Sequence, residues 1–453
     1  MTPIFASAAL LDDGFARNVR ITASNGDIET VTPDTTPDAG DQEVSGLLLP
    51  GMPDLHSHAF QRAFAGLSEF DGGGGDFWTW RDAMYRTAAR ITPETCTAIT
   101  TWLGKELLKG GYTSLVEFHY LHHQPDGASY APATTMAQAV AEGAAAAGIG
   151  LTLLVGVYES AGFDGAPLTG GQNRFRNGAD SALAMAATLR AAGLTTGLAL
   201  HSLRAVRPAT LRQAATNFAG LGPIHIHAAE QRAEVEACIA ALGAPPVAWL
   251  LDNAPLDRSW CLVHATHTTA VEIAAAARAG AVIGLCPATE ADLGDGIFDL
   301  SALLDASGQF GIGSDSNVLL DAFAELRLLE YGQRLRGERR NVAACDTGDS
   351  TRGGGHSGRA LWQAATRGGA YASGRPIGRI APTHRADFVA VDPTLESAGK
   401  SADFMLDAAI FATARPPARH VMAGGVWQVR DYSHRNESAI DAAYRAALKT
   451  LAL

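Results

Sequence analysis

Two imidazoles stand one residue apart in Asp54-Leu55-His56-Ser57-His58, at the end of the apolar run 47–58. Residues i and i+2 of an extended strand face the same way, so both rings point to one side. Three further runs end on groups of the same kind: His225-Ile226-His227 with Glu230 three residues on, His264 in WCLVHAT, and Gly313-Ser314-Asp315. Three imidazole nitrogens and one carboxylate make a donor set for one divalent ion, with a position left for water. His56, His58, His227 and Asp315 are the expected ligands. Zinc is the expected ion, and iron or manganese suits the same donors. His225 shares the parity of His227 but lies deeper in its strand, so it is expected to support the ligands or to fill the core. Glu230 falls just past a ligand, where a carboxylate can move a proton to or from the reacting water. Its alternative role is that of an N-terminal carboxylate on the helix that begins QRAEVEACIAAL.

These groups need a scaffold that brings strand ends together. Short apolar runs at 47–58, 112–120, 150–160, 197–203, 223–230, 260–266, 281–287 and 310–315 alternate with Ala-rich amphipathic stretches. That alternation predicts an α/β fold, and polar residues at the end of nearly every strand favour a (β/α)8 TIM-type barrel over an open sheet. Residues 1–48 and 376–453 carry a different texture: short alternating strands, an Asn25-Gly26 turn, and a last helix. They are expected to build one small β-sandwich domain from both termini, flanking a barrel at 49–375. Three stretches, 68–77, 159–178 and 344–358, read as irregular loops, and long loops on a barrel often serve as lids or binding segments.

Composition narrows the chemistry. The chain has 453 residues, enough for a large and a small domain, and its 47% hydrophobic and 18% charged residues are those of a globular protein. A net charge of −12 argues against nucleic acid or an anionic membrane as partner, whereas a small anionic substrate needs only local arginines. Five scattered cysteines suggest neither a disulfide framework nor a thiolate site. No apolar run reaches the ~20 residues of a membrane span, and the first residues lack a basic signal-type region, so the expected compartment is the cytoplasm.

The His-x-His, His-x-x-Glu, single His and Ser-Asp, in that order on strands one, five, six and eight, resemble the amidohydrolase superfamily. Binuclear members bridge two metals through a lysine on strand four. The run GLALHSLRAV has none, so the resemblance is to mononuclear deaminases. The strings LHSHAFQRAFAGL, FWTWRDAMYR and LVEFHYLHH further resemble the formimidoylglutamate deiminases, enzymes of histidine degradation. That resemblance implies formimidoylglutamate as substrate, a homodimer, and carboxylate recognition by Gln61, Arg81, Tyr120, His201 and Arg204. An arginine fork suits that task. For hydrolysis at an amidine carbon, Asp315 is expected to take the water's proton, His264 to orient the hydroxide and stabilise the tetrahedral centre, and Glu230 to carry a proton to the leaving nitrogen. Two rival readings stand beside it: a deaminase of a purine, pyrimidine or related amidine, and a silent barrel used as a binding protein. His119, His122 and His123 are expected to support strand two, while Trp78 and Trp80 divide between loop packing and the pocket wall.

Overall fold

The computed structural model describes residues 2–67, 69, 77–344, 355–392, 397, 399–414 and 416–452, without the side chains of 77–79, 81 and 82. Segments 70–76 and 345–354, in two of the three loop stretches, therefore lie outside the described residues.

Eight parallel strands form the barrel: Met52–Ser57, Tyr112–His119, Gly150–Val157, Thr195–Ser202, Ile224–Ala228, Trp260–His264, Val282–Leu285 and Gln309–Ile312. They are hydrogen-bonded in chain order. Their residues are almost wholly buried, because helices cover the outside and side chains fill the inside. The seam between first and last strands is closed by backbone bonds from His58 N–H to Asp315 O (3.0 Å) and from Asp315 N–H to His56 O (2.9 Å). Barrel closure thus brings His56, His58 and Asp315 together.

The apolar run 47–58 is not one strand. Gln42–Pro50 belongs to a second sheet, and the chain crosses to the barrel at Gly51. A Cβ at Gly51 would lie 2.2 Å from Thr113 Oγ1, and its N–H binds Asp387 O at 2.9 Å. The crossing is invisible in the sequence because both sheets bury their share of the run.

The second sheet takes four strands from each end of the chain, with Gln42–Pro50 paired to Phe388–Val391 at the join. Most pairs are antiparallel, but Ile4–Leu11 runs parallel to Gln42–Pro50. Asn25 and Gly26 make the tight turn between Gly14–Ser24 and Asp27–Thr32, both with positive φ (53° and 89°), as a type I′ hairpin requires. Ile4, Ile21, Leu48, Phe388 and Met422 belong to a core of its own.

The last helix, Glu437–Leu451, packs on the helix Pro93–Lys109, with Tyr444 stacked on Trp102 at 4.5 Å. Arg62 lies over the Trp102 ring of that stack, 4.9 Å from its centre, and donates to Asn317 O at 2.6 Å. A line of contacts therefore runs from the C-terminal helix to the loop after the last barrel strand. Among the described residues no single helix is long and apolar enough to cross a membrane.

Candidate active site

His56, His58, His227 and Asp315 meet at the C-terminal mouth of the barrel, all buried, with their donor atoms within 4.8 Å of one another. His227 Nε2 lies 3.0 Å from His56 Nε2 and 3.3 Å from His58 Nε2, and both strand-one rings stand 3.4 Å from Asp315 Oδ1. Donors bound tetrahedrally at about 2.0–2.1 Å stand roughly 3.3 Å apart, so the set fits a divalent ion. The rings are also oriented for it. His58 Nδ1 faces Phe118 O at 3.0 Å and His227 Nδ1 faces His201 O at 2.8 Å, which fixes N–H on Nδ1 and aims the Nε2 lone pairs inward. Burial lowers the basicity of all three rings, bringing His56 to about 3, so they are neutral at physiological pH as ligands must be.

A buried polar frame holds this set. Asp54 accepts from Ser314 Oγ (2.6 Å) and Ser314 N–H (3.0 Å), tying strand one to the Gly-Ser-Asp turn. Asn317 donates through Nδ2 to His58 O and Asp315 O, each at 3.0 Å. Ala229, His264, Ala265, Asp315 and Asn317 all adopt positive φ, so left-handed backbone gathers around the site. Gly313 must lack a side chain, because a Cβ there would sit 2.7 Å from His56 O. Gly313→Ala is expected to cost about 1–3 kcal/mol from overpacking and to weaken ion retention. Thermal unfolding with metal analysis would measure both, and an unchanged pair would refute this packing argument.

Next to the ligand set, His264 Nε2 is 3.7 Å from both Glu230 Oε1 and Asp315 Oδ2, while Nδ1 is 3.4 Å from Glu290 Oε1. Burial alone would make this ring less basic, but Glu230, Glu290 and Asp315 outweigh it and raise His264 well above the usual imidazole range. Burial likewise raises Glu230, against the opposing charge of His264. Glu230 N–H is held by Glu234 Oε2 at 2.9 Å, so a carboxylate one turn into the next helix orients the Glu230 loop.

A cavity of about 330 Å³ opens over these groups. Gln61, Tyr120, His201 and Arg204 line it together with Trp80, Tyr85, Tyr158 and Gln231. Gln61 Nε2 donates to Tyr120 Oη at 3.0 Å, which leaves Gln61 Oε1 buried without a protein partner. Arg204 Nη1 is buried and equally without a partner. The Arg81 and Trp78 side chains lie outside the described residues. His225 is not at the mouth: its Nε2 binds Ala372 O at 2.8 Å, deep in the barrel. His122 and His123 brace backbone carbonyls of Gly156 and Arg176, away from the ion site. Asp54, Tyr158, Glu234, Glu290 and Asn317 carry no signal of their own in the sequence, since each matters only through a partner distant along the chain.

The formimidoylglutamate deiminase of Pseudomonas aeruginosa is 48% identical to this chain over 449 residues, 96% of each protein. The amidohydrolase family profile matches residues 47–427. The chain belongs to the amidohydrolase family, in its formimidoylglutamate deiminase branch. The profile for the N-terminal domain of formimidoylglutamate deiminase HutF matches residues 1–45 of this amidohydrolase, the half-sheet preceding the barrel. An amidohydrolase from Brucella melitensis superposes with a TM-score of 0.93 at 42% identity, over 100% of both chains. An adenosine deaminase from Xanthomonas campestris with bound zinc shares the amidohydrolase fold at a TM-score of 0.80 and 22% identity, over 100% of this chain and 98% of that one.

Proposed function

We propose that this amidohydrolase hydrolyses N-formimidoyl-L-glutamate to N-formyl-L-glutamate and ammonia, a step of histidine degradation. The observation that carries this reading is the polarity of one cavity. Its floor holds His264, Glu230 and the ligand set, and its wall holds the buried, unpartnered guanidinium nitrogen of Arg204. A substrate with a cationic amidine at one end and carboxylates at the other matches both.

When bound by His56, His58, His227 and Asp315, a divalent ion supplies a Lewis acid that lets water ionise near neutral pH. In this reading Asp315 Oδ2 takes the proton of the attacking water. His264 directs its N–H at the attacking oxygen and steadies the tetrahedral centre that forms as this oxygen bonds to the amidine carbon and the C=N electron pair moves onto nitrogen. Glu230 delivers a proton to the departing nitrogen, the C–N bond breaks as the remaining O–H proton is shed and its oxygen forms the formyl C=O, and ammonia leaves. Arg204, Gln61, Tyr120, His201 and Arg81 hold the carboxylates. The ion is zinc, the compartment the cytoplasm and the assembly a homodimer. Residues 51–375 are the catalytic domain, and 1–50 with 376–453 the flanking one, because Leu49 and Pro50 pair in the second sheet.

Product identification with formimidoylglutamate tests substrate and bond at once. Adenosine and cytosine serve as controls and are expected to release no ammonia; release from them alone would replace this reading with a nucleobase deaminase. Arg204→Ala is expected to raise KM for the dicarboxylate at least about tenfold, because it removes binding common to ground and transition states. An unchanged KM would remove Arg204 from the substrate pocket.

A further inference from the structure

We propose that Glu230, His264 and Asp295 form a second, weaker divalent-cation site whose occupation stops turnover. The proposal rests on the catalytic reading above, in which Glu230 and His264 do the proton work. One donor atom from each of the three lies within 4.8 Å of the others. Glu230 Oε1 and His264 Nε2 are already 3.7 Å apart. Three donors about 2.1 Å from a shared ion stand roughly 3.5 Å apart, so the Glu230–His264 pair is already near that spacing and closing the set needs a shift of up to about 1.3 Å in the widest pair.

Asp295 is the informative member. It is only 4% exposed, its Oδ1 accepts from Gln231 Nε2, and its Oδ2 has no hydrogen-bond partner. A buried carboxylate oxygen left without a donor is costly unless a proton or a cation satisfies it. Glu290 and Asp315 add negative charge around His264, and burial, followed by the Glu230 carboxylate, raises Asp295 well above the usual carboxylate range. Asp315 also spans the two sets: Oδ1 faces His56 and His58, while Oδ2 faces His264. A cation seated beyond Oδ2 would engage the Glu230 carboxylate and take the lone pair of a deprotonated His264, releasing its proton to solvent. Both groups are then lost to catalysis.

Zinc is the probe. Protein holding one equivalent is dialysed against rising free zinc, with bound metal and deiminase activity measured on the same samples. The expected result is a second equivalent whose uptake coincides with at least tenfold loss of kcat. Asp295→Asn keeps an oxygen for Gln231 but removes the charge. It is expected to retain activity at low zinc and to need at least tenfold more zinc for inhibition. No second equivalent in the wild-type protein, uptake without inhibition, or Asp295→Asn inhibited at the wild-type zinc concentration would each overturn the proposal. Should Asp295→Asn not fold, the wild-type stoichiometry and its match to inhibition decide alone. Failure to bind the first equivalent would instead count against the catalytic reading.

Discussion

His227→Ala is expected to lose the ion and the activity together. His227 meets both strand-one imidazoles, with Nε2 3.0 Å from His56 and 3.3 Å from His58. Without it, two imidazoles and a carboxylate remain, and affinity falls because the missing donor is replaced only by water. Bound metal should drop below about 0.1 per chain, and kcat/KM should fall at least ~10⁴-fold, equivalent to about 5.5 kcal/mol of barrier. Metal analysis and steady-state kinetics measure these, and circular dichroism separates them from unfolding. A His227→Ala protein that keeps both metal and turnover would rule out the assigned ligand set.

Glu230→Gln should divide what His227→Ala removes together. Glutamine has nearly the same volume, and the Glu234 bond to the residue-230 backbone N–H is untouched, so the loop keeps its place. The ion, bound by other residues, is retained at the wild-type level. Loss of a general acid–base costs about 10²–10⁴ in rate. The fall is expected in kcat with KM nearly constant, since the missing step belongs to the transition state rather than to substrate binding. Near wild-type kcat in this variant would show that another group moves the proton.

Much of the barrel and its mouth was legible from the sequence, for reasons that lie in strand geometry. A period of two puts His56 and His58 on one face, and a strand end puts that face at the mouth. All eight runs correspond to observed parallel strands, because buried strands write themselves as unbroken apolar segments. The same continuity concealed the crossing at Gly51. Parity does not rank His225 against His227, but position along the strand does: His227 lies nearer the end and reaches the mouth, while His225 meets Ala372 O deeper in the barrel. Glu234, Glu290 and Asn317 went unread for another reason. They reach the site from a helix or from strand-to-helix turns, where no period of the chain announces direction. Asp54 stood inside the first motif, yet its part depends on Ser314, 260 residues away.

The pairing of Gln42–Pro50 with Phe388–Val391 bears on how the molecule is made. A ribosome produces the N-terminal half-sheet long before its partner strand exists, so one edge of Gln42–Pro50 must wait through synthesis of the entire barrel. An unpaired apolar edge invites association with other chains. For this protein the hazardous interval is therefore the stretch of translation that ends when Phe388–Val391 has emerged and docked.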